Sequence, residues 1–102
     1  MMSKLVKDDE WVWVVIQDPG GNEHFLGQKD EEKGISFIPT FIEKEEAEQG
    51  LKLMAREKGS KYEVHAILFE DLSERASENG LSLFVVNGKG EVLEKILPDQ
   101  QA

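Results

Sequence analysis

The chain has 102 residues, of which 39% are hydrophobic, and its 21 acidic against 12 basic side chains give a formal charge of −9. This size and apolar content predict one domain with a hydrophobic core, while the negative charge disfavours nucleic acid and anionic lipid as partners. Because the chain has no cysteine, disulfides, thiolate zinc sites, iron–sulfur clusters and thiol nucleophiles are excluded.

The N-terminal residues 1–9 carry charges at short intervals and therefore lack the apolar run of a secretory signal. We expect this segment to be frayed and the protein to reside in the cytoplasm. The longest apolar run, residues 11–16, is far shorter than the roughly 20 residues that span a bilayer, so no membrane association is expected.

Residues 11–16 are rich in Trp and Val and predict the first strand. Residues 17–22, which contain Pro19 followed by glycines, predict a reversal of the chain. Residues 23–28 predict a short partner strand that pairs back as a hairpin, and residues 29–34 predict a polar loop.

A third strand is predicted over residues 35–41, with Pro39 near a strand end or at an edge, because proline cannot donate to a central ladder. Residues 43–58 predict a helix whose first turn is acidic and whose last turn, before Gly59, is basic. Its apolar residues recur at helical spacing and are Ala47, Leu51, Met54 and Ala55.

Residues 61–69 predict a strand that becomes apolar on both faces toward its end, so we expect it to lie centrally in the sheet. Residues 71–80 begin with an acidic capping pair and end with Asn-Gly, which predicts a second helix. In this helix Leu72 and Ala76 are expected to face the core.

Residues 81–86 and 91–97 flank a glycine-bearing turn and predict a terminal hairpin, and residues 98–102 are expected to be frayed. The resulting order is β-β-β-α-β-α-β-β over a single domain, residues 1–102. We therefore predict an α+β fold in which one mixed β-sheet carries both helices on one face.

Two segments carry a resemblance to a known family. Residues 38–47, Ile-Pro-Thr-Phe-Ile-Glu-Lys-Glu-Glu-Ala, join a strand with Pro-x-Phe to an acid-rich helix. Residues 72–93 run from a short helix through Gly80 and an apolar strand to Asn87 and a glycine. Over this part of the chain the sequence resembles the N-terminal domain of the SseB family. The resemblance implies an α+β fold and an accessory role, with no catalytic site to carry over.

The sequence predicts no catalytic, cofactor-binding or metal-binding residues. His24 and His65 are the candidates for acid–base chemistry near neutral pH, but neither has partners at a recognisable motif spacing. His65 lies in an apolar strand, where a structural role is the simpler interpretation. The serines and glycines match neither a hydrolase elbow nor a phosphate-binding loop. A non-enzymatic function is therefore favoured.

The aromatic residues of the predicted strands remain as candidates for function. Trp11 and Trp13 point to the same face of their strand and form either part of the core or an exposed binding surface. We predict a protein-interaction or regulatory module that contacts a partner of basic or mixed charge, or a second copy of the chain. The predicted contact residues are Trp11, Trp13, Phe37 and Phe41. The alternative is a small-ligand-binding protein or enzyme with a pocket near His65.

Overall fold

The computed structural model of the chain describes residues 3–98, within which seven strands and two helices are formed. The strands are β1 (Trp11–Gln17), β2 (His24–Phe25), β3 (Gln28–Asp30), β4 (Ile35–Thr40), β5 (Tyr62–Leu68), β6 (Ser82–Val86) and β7 (Val92–Ile96). The helices are α1 (Lys44–Leu51), between β4 and β5, and α2 (Phe69–Glu78), between β5 and β6. Neither helix is long and apolar enough to cross a membrane.

The strands form two sheets that meet at one pair of residues. One sheet is antiparallel, in the order β2-β1-β5, and the other is mixed, in the order β3-β4-β6-β7 with β4 and β6 parallel. Trp13 in β1 and Phe41, just after β4, exchange backbone hydrogen bonds of 2.8 and 2.9 Å that join the sheets. The predicted α+β class is confirmed. Within that class, the strands divide into two sheets where the sequence predicted one mixed sheet.

Pro39 lies at the junction of the two sheets, and its position explains the division. Along one edge of β4, β3 pairs only as far as Phe37, and β1 pairs next at Phe41. The backbone N–H and C=O groups of alternate residues point to the same edge of a strand, so the backbone of Pro39 points into the gap between β3 and β1. Its missing N–H therefore costs no ladder hydrogen bond, and the other edge of β4 pairs with β6.

The two helices cover opposite faces of the strands. In β1, Val12 and Val14 pack in a core cluster with Leu72 of α2, whereas Trp13 packs against a second cluster that contains Ala47 of α1. Successive side chains of a strand point to opposite faces. The prediction that both helices pack on one face is therefore wrong, because β1 is apolar on both faces and each face needs its own cover.

β3 and β5 differ from the predicted layout. Gln28–Asp30 pairs with β4, although residues 29–34 predict a loop, because backbone hydrogen bonds hold a short edge strand without apolar alternation. β5, which the sequence predicts to be central, lies at the edge of the three-stranded sheet. Its apolar residues are half-buried by contact with the two helices rather than enclosed between strands.

Helix α1 is shorter than the sequence predicts. It ends at Leu51, although the apolar spacing continues through residues 43–58. The backbone N–H groups of Lys52, Leu53 and Met54 each donate to the carbonyl three residues earlier, which is a tighter turn than that of an α-helix. The basic residues expected in its last turn therefore lie in the loop that follows.

Helix α2 begins earlier than the sequence predicts. It starts at Phe69, directly after β5, and no side chain caps its first turn. Phe69 is fully buried, and the backbone N–H groups of Phe69 and Glu70 donate to the carbonyls of Glu10 and Asp8, so packing and backbone hydrogen bonds fix this helix start. Leu72 and Ala76 are also fully buried, which confirms the predicted core face.

The N-terminal segment is tied to β7 through Glu94. The Ser3 hydroxyl donates to Glu94 Oε1 at 2.6 Å. The backbone N–H groups of Lys4 and Leu5 donate to the same carboxylate at 2.8 and 3.3 Å. One side chain of β7 thus holds three consecutive residues of the segment.

This tie corrects one prediction about the termini. Val6 is buried in the core cluster that α2 covers, so its apolar burial adds to the hydrogen bonds. The prediction that residues 1–9 are frayed is wrong for residues 3–8, because the Asp8 carbonyl also accepts a hydrogen bond from the Glu70 N–H at 3.1 Å. The same prediction for residues 1–2 and 99–102 lies outside the part of the chain that the structure describes.

The hydrogen bonds also set the acidity of Glu94. Partial burial raises the pKa of Glu94, but hydrogen bonds from Ser3, Lys4 and Leu5, with the charge of Lys4, lower it by more. The pKa therefore lies below its ordinary value of 4.5. By linkage, the resulting stability is present above that value and is lost as the pH falls through the lowered pKa.

We expect Glu94→Gln to lower the melting temperature by a few degrees at neutral pH, because the charge-assisted hydrogen bonds are lost. The difference from the wild type shrinks as the pH falls below 4.5, since the wild-type carboxylate then becomes protonated as well. Thermal melts followed by circular dichroism at stepped pH measure this, with the exposed Glu48→Gln as control. If the melting temperatures of the wild type and of Glu94→Gln change with pH in parallel, the result contradicts the hydrogen bonds between residues 3–5 and the Glu94 carboxylate.

Candidate functional site

Three of the four predicted contact residues lie together on the side of the strands that α1 covers. Phe41 belongs to the buried cluster on this side, and Trp13 and Phe37 pack against it. Trp11 lies on the same face of β1 as Trp13, because the two are separated by one residue. The structure thus places all four aromatic residues on one side of the molecule.

Phe41 cannot contact a partner, because it is 0% exposed. Its ring packs with Ala47 of α1 and with Phe84 and Val86 of β6, and its backbone joins the two sheets. The prediction of Phe41 as a surface contact residue is therefore corrected to a core residue. Strand periodicity gives the face to which a side chain points, but it does not show whether a helix covers that face.

Trp11 and Trp13 differ in exposure although they share a face. Trp11 is 60% exposed, whereas Trp13 is half-buried beneath α1. The Lys44 ammonium lies 5.6 Å from the centroid of the Trp13 ring, at a distance typical of a cation–π contact. Trp13 is thus largely engaged within the molecule, and Trp11 is the freer of the two.

An apolar groove of about 170 Å³ lies where the chain leaves α1 and passes over the mixed sheet. Phe37 forms part of it and stacks on Phe84, with the ring centroids 4.0 Å apart and the planes 12° from parallel. Leu53 and Val92 border the groove and are 64% and 45% exposed. We call this site the α1 groove; its defining residues are Phe37, Phe41, Gly50, Leu53, Met54 and Val92.

Gly50 gives the α1 groove its shape. A Cβ atom built on Gly50 would lie 2.5 and 2.6 Å from Cε1 and Cζ of Phe41, closer than carbon atoms approach one another. Because Phe41 is fully enclosed, its ring cannot move away. A glycine at this point therefore lets the helix backbone rest directly on the ring, and the helix gives way to a turn immediately afterwards.

Gln28 fixes the loop that carries Leu53 along the groove. Its side-chain amide donates to the Ala55 carbonyl at 3.0 Å and accepts from the Ala55 N–H at 3.1 Å. This pairing of a side-chain amide with a peptide group resembles one step of a β-ladder. It connects β3 to the segment after α1, so that Met54 and Leu53 are held against the sheet.

A wider and more polar depression of about 670 Å³ lies beside this loop, and it includes Gln17, His24 and Glu57. Gln17 is buried; its amide donates to Glu57 and Ser60, and its oxygen lies 3.0 Å from His24 Nε2. The other ring nitrogen of His24 lies 2.9 Å from the Asn22 carbonyl. These polar groups bind one another, so they hold the loop in place rather than converge on an open position.

His65 lies apart from both depressions. It is on β5, where Nε2 is 2.9 Å from Glu63 Oε1, and the two side chains are 40% and 59% exposed. Neither the α1 groove nor the polar depression includes His65. Within residues 3–98, no three His, Asp or Glu side chains are placed to hold a metal ion. The structure thus gives the ligand pocket predicted near His65 no support.

Of the residues that define the groove, only Phe37 and Phe41 were predicted from the sequence as contact residues. The exposure of Leu53 could have been predicted, because it is a large apolar residue that does not lie on the helix face formed by Leu51, Met54 and Ala55. An apolar side chain off the buried stripe of a helix is expected to be exposed. Gly50 carried no such signal, since its role depends on the position of Phe41 in the folded chain.

Comparison of the chain with protein-family models, with curated proteins and with solved structures finds no match in any of the three. The resemblance to the N-terminal domain of the SseB family therefore stays a prediction.

Proposed function

We propose that this chain is a non-catalytic protein-interaction module of the cytoplasm, whose α1 groove takes one apolar side chain from a segment of a partner protein. The observation that carries the proposal is the groove itself, an aromatic-floored cleft flanked by the exposed side chains of Leu53 and Val92. Phe37, one of the residues predicted to contact a partner, lines it.

The size of the groove favours a side chain over a whole small molecule. Its volume of about 170 Å³ lies below the roughly 300–1,000 Å³ of pockets that hold drug-sized ligands. A cavity of roughly 150 Å³ holds one benzene molecule, which is comparable to a single large apolar side chain. An anchor residue inserted into such a pocket is the usual centre of a protein–protein contact.

The charge of the chain defines the rest of the partner segment. The formal charge is −9, and α1, which reaches the groove only at its last turn, carries Glu45, Glu46 and Glu48 against one lysine, Lys44. A segment with Lys or Arg around its apolar anchor is therefore attracted, and an acidic segment is repelled. Binding is expected to weaken as the salt concentration rises, because exposed charges are screened.

The lining of the groove argues against catalysis there. Apart from Gln28, the groove is formed by apolar side chains and glycines, and both polar atoms of the Gln28 amide bind Ala55. General acid–base and nucleophilic chemistry need a titratable or nucleophilic group within reach of the substrate. The α1 groove offers recognition by shape and apolar contact.

Selection from a random peptide library displayed on phage tests the proposal. We expect enriched peptides to share one Leu, Met, Phe or Trp with Lys or Arg nearby. Leu53→Lys places a charge at the border of the groove and is expected to weaken binding of an enriched peptide by about tenfold or more. Leu97→Lys is the matched control, because Leu97 is 59% exposed and lies outside the groove.

Two outcomes contradict the proposal. One is that no peptide is enriched on the wild type over the Leu53→Lys variant. The other is that Leu53→Lys and Leu97→Lys change the affinity of the enriched peptides equally. Both variants alter exposed residues, so circular dichroism is expected to show the wild-type fold in each.

A further inference from the structure

β5 is an unusual edge strand in this fold. The other edges are β2 with 2 residues, β3 with 3 residues, and β7, whose pairing with β6 contains an irregularity at Val85 and Val86. Short strands and irregular pairing are common ways in which proteins prevent edge-to-edge association. β5 has 7 residues and contains no proline, glycine or lysine, and its pairing with β1 is regular throughout.

The backbone groups at the free edge of β5 can be assigned from the hydrogen bonds at its two ends. Asp18 N–H donates to the Lys61 carbonyl at 2.8 Å, and Phe69 N–H donates to the Glu10 carbonyl at 2.9 Å. In an antiparallel pair, the backbone N–H and C=O groups of every second residue bond to the partner strand, and those of the residues in between point away from it. The residues that face away from β1 are therefore Tyr62, Val64, Ala66 and Leu68.

These outward-facing groups have no partner within the part of the chain that the structure describes. None of the backbone or side-chain hydrogen bonds among residues 3–98 involves the N–H or C=O of Tyr62, Val64 or Ala66 at that edge. A row of free donors and acceptors on a regularly paired seven-residue strand is a template for adding another strand.

We propose that β5 pairs antiparallel with β5 of a second copy of this chain, so that the two three-stranded sheets become one continuous sheet. The Glu63 and His65 side chains argue for a second copy as the occupant, because a carboxylate and an imidazole are complementary hydrogen-bonding partners. A two-fold axis at Val64 places Glu63 directly opposite the second copy's His65, and His65 opposite the second copy's Glu63. Both pairs are of the non-hydrogen-bonded type, in which side chains approach most closely.

The same two side chains favour this register over its neighbours. A two-fold axis at His65 sets the two imidazoles opposite each other, and an axis at Glu63 sets the two carboxylates opposite each other, which is destabilising. Within one chain, Glu63 and His65 already lie 2.9 Å apart on one face. The axis at Val64 therefore brings together two Glu63 and two His65 side chains. Each glutamate lies beside two histidines, and each histidine lies beside two glutamates.

Sedimentation velocity over a concentration series tests the pairing. The wild type is expected to shift from 11.5 kDa to twice that mass as the concentration rises. His65→Glu places two carboxylates opposite each other, and Glu63→Lys removes the carboxylate that faces the imidazole; each is expected to weaken association by about tenfold or more. The double variant Glu63→His with His65→Glu again places a glutamate opposite a histidine and is expected to restore association.

Amide exchange followed by NMR gives a second measurement on the same variants. The amides of Tyr62, Val64 and Ala66 are expected to become protected as the concentration rises, whereas those of Glu63 and His65 are protected at every concentration by β1. A wild type that stays monomeric throughout overturns the proposal. So does association that the single variants leave untouched or that the double variant fails to restore.

Discussion

Replacing Phe41 by alanine is expected to lower the free energy of unfolding by about 3–5 kcal/mol, the range for deleting a buried aromatic ring. Phe41 is 0% exposed and packs with Ala47, Phe84 and Val86. Its ring also supports the last turn of α1 at Gly50. Since a small domain has only about 5–15 kcal/mol in total, this loss leaves the variant marginally folded.

Urea denaturation measures this loss, and Trp11→Ala is the matched control. Trp11 was predicted for the same surface, but it is 60% exposed, so its removal is expected to cost less than about 1 kcal/mol. The contrast separates a core aromatic residue from a surface one. Similar losses for the two variants contradict the placement of Phe41 in the core.

Gly50→Ala is expected to destabilise the protein by about 1–3 kcal/mol, although alanine is the better helix former by about 1 kcal/mol. The added Cβ meets the Phe41 ring at 2.5 and 2.6 Å, and the enclosed ring cannot yield. Packing thus outweighs helix propensity at this position. Urea denaturation gives the sign directly, and an increase in stability contradicts the contact between helix and ring.

Two further variants isolate the cause of that loss. Gly88→Ala introduces a Cβ that lies 3.3 Å from the Gln49 Cβ and whose nearest contact is the amide oxygen of Gln49, which can rotate away, so it is expected to cost less than Gly50→Ala. Phe41→Leu removes the ring atoms that a Cβ at Gly50 would meet. Gly50→Ala is therefore expected to be neutral or stabilising in the Phe41→Leu background, and equal costs in both backgrounds contradict the account.

Much of the fold could be predicted from apolar spacing. The strands around residues 11–16 and 81–86, the second helix with Leu72 and Ala76, and the terminal hairpin follow from patterns that few arrangements satisfy. β3 could not be predicted this way, because Gln28–Asp30 is polar and is held by backbone pairing with β4. The sequence pattern within a segment does not show whether another strand lies beside that segment in the fold.

The placement of the helices needed information beyond local pattern. The apolar run in β1 indicates burial on both faces, but it does not show which helix covers which face. The length of α1 was overestimated because its apolar spacing and Gly59 both fit a longer helix. In the structure the chain instead turns after Leu51, and Ala55 pairs with Gln28 on β3. This tertiary contact overrides the local preference.

The candidate site was predictable only in part. Phe37 was predicted as a contact residue and lines the α1 groove, whereas Phe41 forms its buried floor. The groove exists because a helix ends on an aromatic ring at Gly50 and because the next turn brings Leu53 opposite Val92. These contacts join residues that are far apart in the sequence, so no local motif predicts them.

Intermolecular NOEs between the protein and a peptide enriched in the phage selection test the binding of an anchor side chain most directly. We expect NOEs from one apolar side chain of the peptide to the ring of Phe37 and to the methyl groups of Met54 and Val92. Contacts confined to another surface, such as the polar depression beside Gln17 or the ring of Trp11, would contradict the proposal.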